Sequence, residues 1–153
     1  MQLSIRFLVV AVAILFSLDA IACGDSMYRV GKGVSYRVYT APLPGSVLVY
    51  GQSEGAKTLA EALAKSGHGV RYVQSEAELQ SELSSGSYDV VIASYAEHDT
   101  VEASSGNTTY LPVVDTRDQA KMVEANYAKV MVADRDEIKH YLKAIHKTLK
   151  SRS

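Results

Sequence analysis

The chain has 153 residues, a formal charge of −1 and 47% apolar residues, which suits one globular domain with a real core and leaves no room for two. The near-neutral charge gives bulk electrostatics no pull toward nucleic acid or an anionic surface. Cys23 is the single cysteine, so a disulfide framework or a zinc–thiolate cluster within one chain is excluded.

Residues 1–22 read as a targeting segment. Arg6 supplies a positive start, and Phe7 to Leu18 is a stretch of twelve residues that is apolar except at Ser17. Ala20-Ile21-Ala22 then puts small side chains where a signal peptidase reads. The run falls short of the roughly 20 apolar residues that span a bilayer comfortably. Export to the periplasm is the expectation. Ala-Ile-Ala-Cys resembles the lipobox of bacterial lipoproteins, which implies a lipidated Cys23 as mature N-terminus and membrane anchor. Two readings stand beside it: cleavage after Ala22 with a free thiol, and pairing of Cys23 with another chain.

Residues 23–45 are expected to form an extended tether. Tyr28, Val30, Val34, Tyr36 and Val38 fall on alternating positions, and Gly31-Lys32-Gly33 reads as a turn. Pro42 and Pro44 stiffen the approach to the first core strand.

From residue 46 to 153 the pattern alternates strand and helix. Val47 to Tyr50 is a continuous apolar run, as in a strand covered on both faces. Ala56, Leu59, Ala60 and Leu63 form one helical stripe, with Gly67 and Gly69 expected to end it in left-handed geometry. Val70 to Val73 is the second strand. Ser75 and Glu78 make a capping box for a short helix carrying Leu79 and Leu83, released at Ser84-Ser85-Gly86-Ser87. Val90 to Ala93 is the third strand. Residues 95–109 are polar, with room for about two helical turns near Ala96 to Ala103. Tyr110 to Val114 is the fourth strand, and Thr116 with Gln119 caps a helix whose buried face carries Ala120, Val123 and Tyr127. Val130 to Ala133 is the fifth strand. Asp134, with Glu137 at the matching position, is expected to cap a last helix striped by Ile138, Tyr141, Leu142, Ile145 and Leu149. Such alternation predicts a parallel sheet with right-handed crossovers.

The runs VLVYG, LAEALAKSGHGVRYV, AELQSELSSGSYDVVIAS and YLPVV make this region similar to the receiver domain of bacterial response regulators. The resemblance implies a flavodoxin-like, doubly wound five-stranded α/β sheet of order 2-1-3-4-5. The family's chemistry does not follow. Receivers hold two acidic residues after strand one to bind magnesium; Gly51 and Gln52 stand there. Their phosphoacceptor aspartate corresponds to Ser94, and the lysine ending strand five falls near Ala133 or Asp134. Thr116 matches the hydroxyl-bearing residue after strand four, at shorter spacing. Magnesium prefers hard carboxylate oxygens, and serine without an activating base is a poor phosphoryl acceptor. The expectation is a non-enzymatic, non-phosphorylatable receiver-like module without cofactor or metal, acting by contact with an unidentified envelope protein.

Ligands of open α/β sheets settle beyond the strand carboxyl ends. Here that rim holds Gly51, Gln52, Ser53, Ser94, Tyr95, Asp115, Thr116, Asp134 and Arg135. A small ligand or anion at the helix N-terminus after Ser53 is the alternative function, although Ser53, Thr116 and Asp134 also read simply as caps. Glu97-His98-Asp99 reads as a solvated loop rather than a metal site, and His68 has no assigned role. Lys139, Lys143, Lys147 and Lys150, with His140, His146 and Arg152, leave the last helix basic on its outer side. They are candidates for meeting an acidic protein or anionic lipid, or they complement the helix dipole. No aromatic residues interleave with them as a nucleic-acid surface would require.

Overall fold

The structure, a computed structural model, describes residues 41–152. The targeting segment, Cys23 and residues 23–40 of the expected tether lie outside the described residues. Five parallel strands form one sheet of order β2-β1-β3-β4-β5, the flavodoxin-like arrangement expected from the sequence. They are β1 (Ser46–Tyr50), β2 (Gly69–Val73), β3 (Val90–Ser94), β4 (Thr109–Val114) and β5 (Met131–Val132). The helices are α1 (Glu54–Lys65), α2 (Glu76–Ser85), α3 (His98–Ser105), α4 (Arg117–Val123) and α5 (Ile138–Arg152).

The pleat sorts the strand side chains into two cores. Val47, Val49, Val90 and Ile92 face Leu59 and Leu63 of α1 and Tyr141, Ile145 and Leu149 of α5. Leu48, Tyr50, Val91 and Ala93 face Leu79 of α2 and Val101 of α3. Val114 and Val132 complete the second layer against Ala120 and Val123 of α4. The α5 stripe expected from the sequence is the stripe that is buried.

Helix termini follow local hydrogen-bond chemistry. Ser53 Oγ accepts the Ala56 N–H at 3.1 Å and opens α1. Gly67, at φ 100°, supplies the left-handed stop. Gly69 plays no part in that stop and instead pairs with Ser46 as the first residue of β2. Both halves of the Ser75–Glu78 and Thr116–Gln119 capping boxes are formed. Helix α2 runs through Ser84 and Ser85, whose hydroxyls donate back to the Gln80 and Ser81 carbonyls at 2.6 Å instead of releasing the chain.

Three expectations are corrected. Glu97-His98-Asp99 is no loop: a 3-10 turn over Tyr95–Glu97 leads into α3, which begins at His98. Tyr127 is not on α4, which ends at Val123; it packs from the following connection against Tyr95 and Tyr110. Asp134 does not cap the last helix. It lies exposed in the connection, and α5 starts after the Glu137 carbonyl, which accepts from His140 N–H at 2.8 Å. The Glu137 amide donates instead to His140 Nδ1 at 3.0 Å.

The edge of the sheet where the strands begin is sewn together by polar groups. Gly45 N–H donates to Nδ1 of buried His68, and Gly69 N–H returns to the Gly45 carbonyl. Ser46 N–H donates to the Asp89 carboxylate at 2.8 Å, while Asp89 N–H reaches the Ser46 carbonyl. Arg152 closes α5 onto this seam through the Asp89 and Asn107 carbonyls. Residues 41–45, expected as the end of the tether, pack here as well: Ala41 is buried and donates its N–H to the Ser66 carbonyl at 2.7 Å.

Candidate functional site

Parallel pairing delivers the five expected pocket residues to one edge in the order of their strands. Gly51 and Gln52 follow β1, Ser94 ends β3, Thr116 follows β4 and Asp134 follows β5. Gln52, Thr116 and Asp134 are exposed, and Gly51 and Ser94 are half-buried.

The hydroxyls of this rim are engaged locally. Ser94 Oγ accepts the Ala96 N–H at 3.3 Å and caps the 3-10 turn. Thr116 Oγ1 accepts the Gln119 N–H at 3.4 Å, and Gln119 Oε1 accepts the Asp115 and Thr116 amides. Ser53 Oγ is held by the first turn of α1. Backbone carbonyls at the strand ends are engaged too. Tyr72 donates to the Gly51 carbonyl and Tyr110 to the Ser94 carbonyl, each at 2.8 Å. Among the described residues no base stands against the Ser94 hydroxyl to turn it into a nucleophile, since its partner is a backbone donor.

Among the described residues no three His, Cys, Asp or Glu side chains gather as a metal site. Asp115 and Asp134 are both exposed, and neither takes part in a group of three such side chains. His98 stacks on Tyr95 with ring centroids 4.6 Å apart, and its Nε2 lies 3.2 Å from Asp99.

The carboxylate that matters structurally is Asp136, which no sequence pattern singles out. It is 3% exposed, accepts the Val132 N–H at 2.8 Å, and takes two hydrogen bonds from Arg135 at 2.9 Å. Burial alone would raise its pKa. The Arg135 fork, the Val132 amide and the nearby His140 outweigh that and hold it below the ordinary value. Asp134, Asp136 and Glu137 share one sequence neighbourhood, so only burial distinguishes Asp136.

Three of the chain's ten tyrosines meet at this end of the sheet. Tyr127 meets Tyr95 and Tyr110 edge-on, at centroid distances of 6.1 and 5.5 Å. Its hydroxyl donates to Glu102 across 25 residues of sequence. Burial, then the hydrogen bond and charge of Glu102, push the Tyr127 hydroxyl upward in pKa, so it stays protonated and donating. The aromatic lattice makes the region beyond β3 and β4 a packed wall of tyrosine.

On α5, Lys139, Lys143, Lys147 and Lys150 project outward as expected. Arg152 leaves that face, because its guanidinium turns back to Asp89 and Asn107. His140 is also partly withdrawn, accepting the Glu137 amide.

No protein-family model matches the chain, and no curated protein matches it. Among solved structures it is similar to CpaE2 of Sinorhizobium meliloti, a protein assigned to pilus assembly. The match has a TM-score of 0.50 and 16% identity, and covers 67% of this chain and 98% of that one. A likeness at that identity carries the fold alone. The chain has the flavodoxin-like α/β fold of its structural neighbour.

Proposed function

We propose that the chain is a receiver-like module that acts by contact in the cell envelope and performs no phosphotransfer. The observation supporting this most is the rim itself. Gly51 and Gln52 bring no carboxylate to magnesium, and Ser94 replaces the acceptor with a hydroxyl committed to the Ala96 amide. Thr116 is committed in the same way to the Gln119 amide. The place of the receiver family's lysine falls near Ala133 or Asp134, and neither residue supplies a cation for charge neutralisation.

Export rests on the apolar run Phe7 to Leu18 and the small residues before Cys23, with lipidation of Cys23 holding the domain at a membrane. We assign the contact side to α4, β5 and α5, where Met122 is 72% exposed and the four lysines face outward. Pilus assembly is the setting given for the structural neighbour, which makes an envelope assembly machine the first place to seek the partner.

Incubation with acetyl phosphate and magnesium, followed by intact mass measurement, tests the non-catalytic part. Unchanged mass agrees with it; addition of one phosphoryl group at Ser94 or Thr116 overturns it. Cys23→Ser tests anchoring: release from the membrane fraction is expected, and unchanged fractionation removes the anchor.

A further inference from the structure

We propose that the lysine stripe of α5 lies against an anionic lipid surface. This deepens the contact reading above by naming what the basic part of that side meets. Taking about 100° per residue, Lys139, Lys143, Lys147 and Lys150 share an arc of about 80° and extend about 16 Å along the helix. The buried residues Tyr141, Leu142, Ile145 and Leu149 occupy the opposite side, so the lysines project away from the sheet.

Helix-dipole compensation does not account for this arrangement. It acts within the last turn, where Lys150 and Arg152 stand. Lys139 sits in the first turn of α5, where the dipole disfavours a cation, and Lys143 and Lys147 lie beyond the reach of either end. Ion pairing does not account for it either. Lys139 reaches Glu137 at 3.1 Å, but Lys143, Lys147 and Lys150 have no acidic partner among the described residues. Lys139, Lys143 and Lys147 repeat at the four-residue spacing at which like charges repel. Three of the four lysines are thus without an acidic partner among the described residues, and a polyanionic surface supplies one.

A bilayer fits better than a peptide partner because the charges run along the exposed face of one helix, whose single aromatic residue, Tyr141, is buried on the other side. The point where the chain enters the domain agrees. Ala41 is held by Ser66 just beyond α1, and Gly45 abuts Leu149 of α5. The described chain therefore begins on the same layer that carries the stripe. The eighteen steps from Cys23 to Ala41 reach at most about 60 Å when extended, which keeps α5 within range of the leaflet holding an acylated Cys23.

The test is partition of the full chain between phosphatidylcholine vesicles and vesicles that also contain phosphatidylglycerol, so that the apolar leader contributes to both. Preference for the anionic vesicles by about tenfold or more is expected, fading as salt rises. The double variant Lys143→Gln, Lys147→Gln should lose about tenfold of that preference while melting no lower than the parent. Equal partition by the parent, or a preference retained by the double variant, overturns the proposal. So does tighter binding to polyglutamate than to the anionic vesicles, which would favour an acidic protein. None of these readings involves phosphoryl transfer, so failure here leaves the non-catalytic reading standing on its own test.

Discussion

The Tyr110 hydroxyl donates to the Ser94 carbonyl at 2.8 Å, tying the body of β4 to the last residue of β3. Ser94 is thus held at both ends, its carbonyl by the Tyr110 hydroxyl and its own hydroxyl by the Ala96 amide. Tyr110→Phe removes the brace without opening a cavity. It should destabilise the domain by about 0.5–1.5 kcal/mol in urea unfolding, with no change in urea m-value.

Asp136→Asn tests whether the buried carboxylate sets the β5–α5 junction. The variant leaves Arg135 with a neutral partner and should cost about 1.5–3 kcal/mol, a range for hydrogen bonds to a charged group. The pKa of Asp136 is lower in the folded state than its ordinary 3.8. Its contribution is therefore present above that value and lost as pH falls through the lowered folded one. Acid unfolding of Asp136→Asn should show a shallower dependence in that window.

His68 gives a second pH signature at higher pH. Burial lowers its pKa from 6.5, and Nδ1 accepts the Gly45 N–H, which requires that nitrogen to be unprotonated. The folded state prefers neutral imidazole, so stability is full above 6.5 and declines as pH falls through the lowered folded value. His68→Phe should remove that decline while costing about 1–3 kcal/mol at neutral pH, because Gly45 N–H loses its acceptor.

Gly86→Ala should be costly. A Cβ there would lie 2.7 Å from the Glu82 carbonyl oxygen and 2.5 Å from the Tyr88 ring. Backbone cannot yield as a side-chain end can, so a loss of about 1–3 kcal/mol in thermal or urea unfolding is expected.

Met122→Lys separates contact from stability. Its side chain is far out in solvent, and the substitution should leave stability within about 0.5 kcal/mol. On the proposed contact reading, cross-linking of the chain in envelope extracts should fall sharply; unchanged cross-linking would move the contact elsewhere.

Periodicity makes the alternating strands and helices and the two-layer core legible, since Val47 with Val49 and Leu48 with Tyr50 sort by the pleat alone. The capping boxes at Ser75 and Thr116 are equally visible, because their spacing is local. The β5–α5 junction is not. Asp134 has the right offset to Glu137, yet the hydrogen bond from Val132 selects Asp136, and burial is a property of the fold. Tyr127 is misleading for a related reason: it keeps helical spacing with Val123 but is claimed by Tyr95 and Tyr110 from distant parts of the chain. The seam of His68, Asp89 and Arg152 joins residues that no sequence window contains together.

The central claim is that this strand-end rim cannot assemble a magnesium–phosphoryl site. Titration with magnesium and beryllofluoride, read by the amide resonances of Gly51, Gln52, Ser94 and Thr116, addresses it most directly. Resonances that stay in place are the predicted result; a saturable shift shared by Gln52 and Ser94 would contradict it.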